Sequence, residues 1–263
     1  MYFSMDEIGF ENTEKIKMIP LEADRWKLIY DVAKAYGFEG IHLTPSLYSK
    51  NFELDLENIP AYFQDFKLTL HFGGLLKITS EAFDEALSKH FDIALRNNMH
   101  DFSLHPPGAE EKDVCRSLLR RAIDKWLPIA IRNGISLSLE THVQGKYFLF
   151  NGLHEFTAFT DAFPELGILI DISHNYYNPQ YSEDEILDIL SNRNVKGLHI
   201  SDALRDADFF EGTHLAIGDG TVDFEKLLKG FGKFADLYGA LEIKSSNEGV
   251  AKSLRMLQDI RGE

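Results

Sequence analysis

One cysteine, Cys115, stands in 263 residues, so the chain forms no internal disulfide and nothing in it requires an oxidising compartment. No stretch reaches the ~18 consecutive apolar residues of a membrane span. The opening MYFSMDEIGF lacks a basic segment followed by an apolar core, which leads to the expectation of a soluble, cytoplasmic protein. Basic side chains are the minority. The 27 Lys and Arg face 42 Asp and Glu, and a formal charge of -15 on average repels a phosphate backbone, which handicaps nucleic acid as a partner. No G-x-G-x-x-G follows the first apolar run, so an open, doubly wound sheet with a dinucleotide site lacks support.

What the chain does have is an alternation of short apolar runs and amphipathic segments. Strands are predicted at 1–5, 40–44, 67–72, 101–105, 135–140, 167–171, 195–200 and 239–243. Between them lie segments such as EADRWKLIYDVAKAYG and DFEKLLKGFGKFADLYG, with apolar residues three and four apart. Gly37, Gly134 and Gly239 read as helix ends, and Cys115, within DVCRSLLRRAI, as buried packing. Eight strands, a 44% hydrophobic composition and this length predict one (β/α)8 barrel over residues 1–263, a single domain.

Polar residues sit at the ends of these runs. His71, His105, Glu140, Asp171, His174, His199, His214 and Glu242 lie at or just past the C-terminal ends of KLTLHFGG, DFSLHPPG, ISLSLETH, GILIDISHN, VKGLHISD and GALEIK. Neighbours along a strand face opposite sides. In ISLSLE, therefore, Ser136, Ser138 and Glu140 share the inward face and Leu137 and Leu139 turn to the helices. The same phase pairs Thr69 with His71, Ser103 with His105, Leu169 with Asp171, Gly197 with His199, and Ala240 with Glu242. Small inward residues below a terminal polar group leave room for a pocket at the barrel mouth. Carboxylates and imidazoles converging there without a cation would carry a large desolvation and repulsion cost, so a divalent metal is expected. Oxygen and imidazole donors without thiolate suit zinc, manganese, cobalt or iron. His42, ending GIHL, is a weaker pocket candidate, and His90, His100, His142 and His154 read as surface or packing residues. Beyond the last strand, KSSNEG places Lys244 to Asn247 ahead of a helix, where an anion site and an ordinary Ser245/Glu248 capping box compete as readings.

LETH, IDISH, GLHISDA, HLAIGDGTVDF and LEI, in that order, resemble the xylose isomerase-like TIM-barrel superfamily, which includes sugar isomerases, sugar epimerases and endonuclease IV-type abasic-site nucleases. The resemblance covers about residues 1–260. It implies that Glu140, Asp171, His199 and Glu242 hold one divalent metal and that Glu140 and Glu242 serve acid–base catalysis on an open-chain sugar through an enediolate. His174 matches a substrate-contacting histidine and Arg205 a substrate-contacting arginine. Where the epimerases carry their second catalytic glutamate, this chain has Lys146, which is taken with His42 and Arg205 as a substrate-side candidate.

Against the nucleases, eight of nine zinc ligands match, with His71, His105, His174 and His214 as additional metal or substrate positions. Gly212 replaces the ninth, and Asp208 and Glu211 lie nearby as substitutes. The acidic loop SDALRDADFFEGTHLAIGDG would face DNA phosphates poorly, while Tyr147, Phe148, Tyr176, Phe209 and neighbouring aromatics suit a sugar wall or plain loop packing. The resemblance thus implies a metal-dependent isomerase or epimerase of a small sugar, sugar phosphate or polyol. An abasic-site phosphoester hydrolase and a non-catalytic metal- and sugar-binding protein are its alternatives, and a homodimer is compatible with each.

Overall fold

A computed structural model of the chain describes residues 1–6, 25–44, 58–73, 78, 81–108, 111–143, 148–177, 181–231 and 237–262. Eight parallel strands close into a barrel in sequence order: β1 (Tyr2–Asp6), β2 (Gly40–Leu43), β3 (Lys67–Phe72), β4 (Asp101–Leu104), β5 (Ser136–Glu140), β6 (Gly167–Asp171), β7 (Val195–Ile200) and β8 (Tyr238–Leu241). The helices are α1 (Arg25–Tyr36), α2 (Glu81–Arg96), α3 (Lys112–Arg132), α4 (Leu153–Thr160), α5 (Ile172–Tyr177), α6 (Glu183–Asn192), α7 (Phe209–Gly212), α8 (Phe224–Phe231) and α9 (Asn247–Arg261). This is the expected (β/α)8 barrel, and its strands fall within two residues of their predicted bounds. The last strand differs most: Glu242 N turns back to Ala240 O at 3.1 Å and Lys244 N bonds His214 O at 2.8 Å, so the ladder stops at Leu241.

The core has two unequal parts, as the alternation requires. Outward residues such as Ile41, Leu70, Phe102, Leu137, Leu139, Ile170 and Leu198 join the large cluster between strands and helices. Inside the barrel, among the described residues, the apolar cluster is small: Leu169, Tyr238 and Ala240, with Tyr2 against it. Buried Ser4, Thr69, Ser103 and Ser138 occupy other inward positions, so the barrel floor is partly polar directly beneath the mouth. A bulge between β6 and β7 shifts the register at Ile168/Leu169, setting Gly197 beside Leu169 and His199 beside Asp171. That one-residue correction keeps His199 on the inner face, since a slip of one would turn it to the helices.

Gly37 and Gly134 end helices in the left-handed region, with φ of 79° and 70°. Gly239 does not: it lies within β8, where a Cβ would meet Ile200 Cδ1 at 2.6 Å. Cys115 is buried in α3. At the start of α9 the cap is Ser246 rather than Ser245, its Oγ accepting from Gly249 N at 3.2 Å.

The loop after β7 is organised by one buried carboxylate. Asp202 Oδ1 accepts from Ala203 N at 2.8 Å and Val222 N at 3.0 Å, and Oδ2 from Gly218 N at 2.9 Å and Gly220 N at 3.0 Å. Gly220 permits this approach, because a Cβ there would lie 2.6 Å from both Ala203 N and Ala203 O. Paired backbone bonds of 2.9 and 3.0 Å between Asp202 and Leu215 tie the far side of the loop down next to His214. Asp202→Ala strands four amide donors. Each buried orphan costs roughly 1–3 kcal/mol, partly relieved by water, so we expect a loss of about 3 kcal/mol or more in denaturant unfolding. An unchanged midpoint would show that the carboxylate does not organise the loop.

Candidate metal centre

The ends of β5, β6, β7 and β8 bring Glu140, Asp171, His199 and Glu242 together, with one ligand atom from each within 4.8 Å of the others. His199 Nδ1 lies at the centre, 2.8 Å from Glu242 Oε2, 3.1 Å from Glu140 Oε1 and 3.7 Å from Asp171 Oδ2. Glu140, Asp171 and His199 are at most 1% exposed, and Glu242 sits at the mouth with a side chain 15% exposed. The local sequence aims each group. Asp171 closes β6 and at once starts α5, so its Oδ1 caps the helix by accepting from His174 N at 2.7 Å and Ser173 Oγ at 3.0 Å, leaving Oδ2 for the cluster. Glu140 Oε2 faces His71 Nε2 at 3.2 Å, and His71 Nδ1 is fixed by Ser103 Oγ at 2.8 Å.

The electrostatics are those of a cation site. Burial opposes protonation of His199, but Glu242 and Glu140 beside it outweigh this and hold its pKa well above the ordinary imidazole value. Burial favours the neutral acid at Glu140 and Glu242, yet His199 overrides it in both; Glu140 is held well below the usual carboxylate range and Glu242 is lowered to about 2. Asp171 is lowered too, its burial outweighed chiefly by His174. Three carboxylates thus surround one imidazolium, and a divalent ion in place of its Nδ1 proton would offset more of their charge than that proton does. Among the described residues, Glu140 Oε2, Asp171 Oδ2 and Glu242 Oε2 are buried and face only the imidazoles of the cluster, with no other hydrogen-bond donor, as expected of oxygens that serve as ligands. The donor set and these orphaned oxygens fit a divalent metal held by two glutamates, one aspartate and one imidazole.

A second group, Asp171, His174 and His214, adjoins the first. His174 Nε2 and His214 Nε2 are 2.9 Å apart, and His174 Nδ1 is 3.3 Å from Asp171 Oδ2. Burial lowers His174 to about 4, so it is neutral at ordinary pH. His214 holds a left-handed backbone at φ 57°, costly for any residue with a Cβ, and the Asp202 loop on one side with Lys244 N on the other keeps it there. The family model described as the xylose isomerase-like TIM barrel matches residues 30–260.

The chain belongs to that xylose isomerase-like TIM-barrel family. No curated protein matches its sequence. Solved structures of the same fold include the D-psicose 3-epimerase of Clostridium cellulolyticum H10 with D-tagatose, at TM-score 0.73 and 12% identity, covering 99% of both chains. The D-allulose 3-epimerase of Methylomonas sp. in complex with D-allulose superposes at TM-score 0.69 and 14% identity, over 98% of this chain and 96% of that one. The IolI protein with a bound zinc atom gives TM-score 0.70 and 13% identity, over 99% and 98%.

The remaining candidates fall into distinct places on this xylose isomerase-like barrel. His105, half-buried past the end of β4, turns its Nδ1 to Pro106 O at 2.7 Å and joins neither ligand group. His42 is fully buried, below the mouth rather than lining it, with its Nε2 3.0 Å from His199 Nε2. Arg205 stacks its guanidinium 4.0 Å from the Tyr176 ring and donates to Tyr181 O at 2.6 Å. Lys146 and Tyr147 lie outside the described residues. Asp208 and Glu211 are exposed, and Gly212 has no room for a side chain: a Cβ would meet Leu204 O at 2.6 Å and Ala207 Cβ at 3.0 Å.

His142, expected on the surface or in packing, packs at the mouth, its ring 4.5 Å from both His105 and His174. Its Nδ1 has no partner among the described residues, and burial holds it well below the ordinary imidazole value. The signal was available, since His142 stands two residues past the end of β5. Of the loop aromatics, Phe148 and Phe209 lie against His142 and His174, at 4.2 and 5.7 Å. Phe150 and Tyr181 belong to the packed core.

Proposed function

We propose that this protein is a divalent-metal-dependent isomerase or epimerase acting on a small sugar, sugar phosphate or polyol. One observation carries the reading: Glu140, Asp171, His199 and Glu242, from the ends of four adjacent strands, bring one ligand atom each within 4.8 Å of one another, two of them glutamates able to move protons. The solved relatives holding D-tagatose, D-allulose and zinc support it by fold. A divalent ion at Glu140, Asp171, His199 and Glu242, whether zinc, manganese, cobalt or iron, would supply Lewis-acid stabilisation of the charge that builds up on vicinal sugar oxygens.

The chain's own residues do the rest. Glu242, ionised at neutral pH and at the mouth, takes a proton from the carbon next to the carbonyl. Glu140, which borders the same gap, is the candidate for proton return. Neutral His174 and His142 offer hydrogen bonds to sugar hydroxyls, and Arg205, held on Tyr176 and Tyr181 O, is the candidate for a further substrate contact. Phe148 and Phe209 exclude water beside them, where a charged intermediate is most easily lost. His105, His71 and His214 fit substrate contacts better than a third metal, because Gly212 has no space for the missing ligand.

Protein purified without chelator is expected to carry close to one divalent ion per chain. It should move deuterium from solvent into a ketose at the carbon beside the carbonyl. Two or three tightly held zinc ions, with incision of abasic-site DNA at physiological salt, would instead establish the hydrolase. Metal and sugar binding without exchange would leave a binding protein.

A further inference from the structure

His42 is where the polar interior of the barrel touches the metal centre. Its ring is fully buried on β2, stacked on His71 with centroids 5.6 Å apart at 28° and flanked by Tyr238 at 5.6 Å and 32°. It meets His199 edge to face, centroids 5.0 Å apart and planes at 76°. His42 Nε2 is 3.0 Å from His199 Nε2, and His42 Nδ1 is 2.6 Å from Thr69 Oγ1.

Two ring nitrogens at that separation share one proton, and its location has consequences across the ring. If His42 donated, neutral His199 would carry its own proton on Nδ1, aimed at the three carboxylates and occupying the place of a cation. If His199 donates, its Nδ1 lone pair is free to face Glu140, Asp171 and Glu242, while His42 gives its Nδ1 proton to Thr69. His199 Nδ1 is the nitrogen that faces the three carboxylates, so it is the one a cation would take, and Nε2 then keeps its proton with His42 Nε2 as the acceptor. The same arrangement serves the metal-free site, where a doubly protonated His199 donates from both nitrogens. A metal ion then replaces only the Nδ1 proton, and nothing on the Nε2 side needs to rearrange.

We propose that His42 is a positioning residue for His199: by accepting the Nε2 proton it fixes the imidazole as an Nδ1 ligand and preorganises the four-residue site. The proposal rests on the metal reading above. It also differs from the other arrangement the geometry offers, in which the Nε2 atoms of His42, His71 and His199 hold an ion of their own. Loading both nitrogens of His199 would strip it of both protons, a far more demanding state.

The test uses the full chain, stripped of metal and reloaded with zinc. In the parent, nitrogen NMR of labelled histidines is expected to show His199 protonated at Nε2 and coordinated through Nδ1. His42→Leu, which keeps bulk but removes the acceptor, is expected to weaken zinc about 10–100-fold in chelator competition, the range for groups that orient ligands. His42→Gln, whose carbonyl can accept the same proton, is expected to recover most of the affinity, within about threefold of the parent on that scale.

Coordination of the parent through His199 Nε2 would overturn the proposal without any variant. Equal zinc affinity in the Leu variant and the parent would overturn it too. So would two ions in the parent with one lost from both variants, which would make His42 a ligand. A parent that takes up no divalent ion sinks the metal reading itself, and the role of His42 with it.

Discussion

Asp171→Asn is expected to empty the metal site while leaving the barrel folded. Asp171 is the most enclosed of the four candidate ligands, 0% exposed, and its two oxygens have separate duties. Oδ1 caps α5 through His174 N and Ser173 Oγ, and Oδ2 points to His199 Nδ1 at 3.7 Å. An asparagine carbonyl can go on capping the helix. Its amide then takes the place of Oδ2 and presents N–H donors to a cluster that needs an anionic oxygen. The backbone and cap survive, and the cation site does not.

Removing groups that merely orient ligands costs about 10–100-fold in metal affinity, so losing a charged ligand should cost at least about a hundredfold. Turnover should fall by at least as much. Zinc should raise the melting temperature of the wild-type protein, because binding to the folded state alone stabilises it. In Asp171→Asn that rise should vanish while the circular dichroism spectrum stays that of the parent. A variant that still melts higher with zinc would mean that the ion sits elsewhere, with His174 and His214 the first place to look.

Much of this site was legible before any coordinates because a parallel barrel converts sequence phase into place. Strict alternation in SLSLE puts Glu140 inward, the same phase counted along the all-apolar run of GILID puts Asp171 inward, and closure in sequence order forces those strand ends to one mouth. The limits follow from the same physics. Phase tells which way a residue points but not how deep it sits, so His42 reads as a pocket candidate although it lies beneath His199. Past the end of a strand the alternation stops, and His142 and Glu242 are placed by loop bonds that no periodicity encodes. Gly212 reads as a ligand missing by substitution. Only the crossing of Leu204 O shows that a side chain there is sterically excluded. Asp202 stands within GLHISDA, but its role does not show there, since its four acceptor contacts come from residues up to 20 positions away.

Glu242→Gln should separate chemistry from metal binding. The residue lies just past β8, held by its own backbone: Glu242 N turns to Ala240 O, and its carbonyl accepts from His214 Nδ1 at 3.2 Å. Glutamine keeps the shape and one ligating oxygen, so affinity should fall but the site should still fill when metal is supplied in excess, and activity is compared in that state. It cannot take a proton from carbon, and loss of a general base costs about 10²–10⁴-fold. Epimerisation needs a proton removed on one face of the sugar and returned on the other, so net inversion should disappear. Any exchange that survives must come from the face served by Glu140. The metal-free protein gives a second, independent readout of the same carboxylate. His199 and His214 outweigh burial and lower Glu242 from 4.5 to about 2 in the folded chain. A depressed carboxylate stabilises fully above its unfolded value, and that contribution is lost as pH falls through the folded one. Wild-type stability should therefore decline between about pH 4.5 and 2, and the Glu242→Gln variant should decline less over that window. If the variant instead kept full inversion with one ion bound, the base would have to be another group at the mouth, and His142 and His174 would become the candidates to replace next.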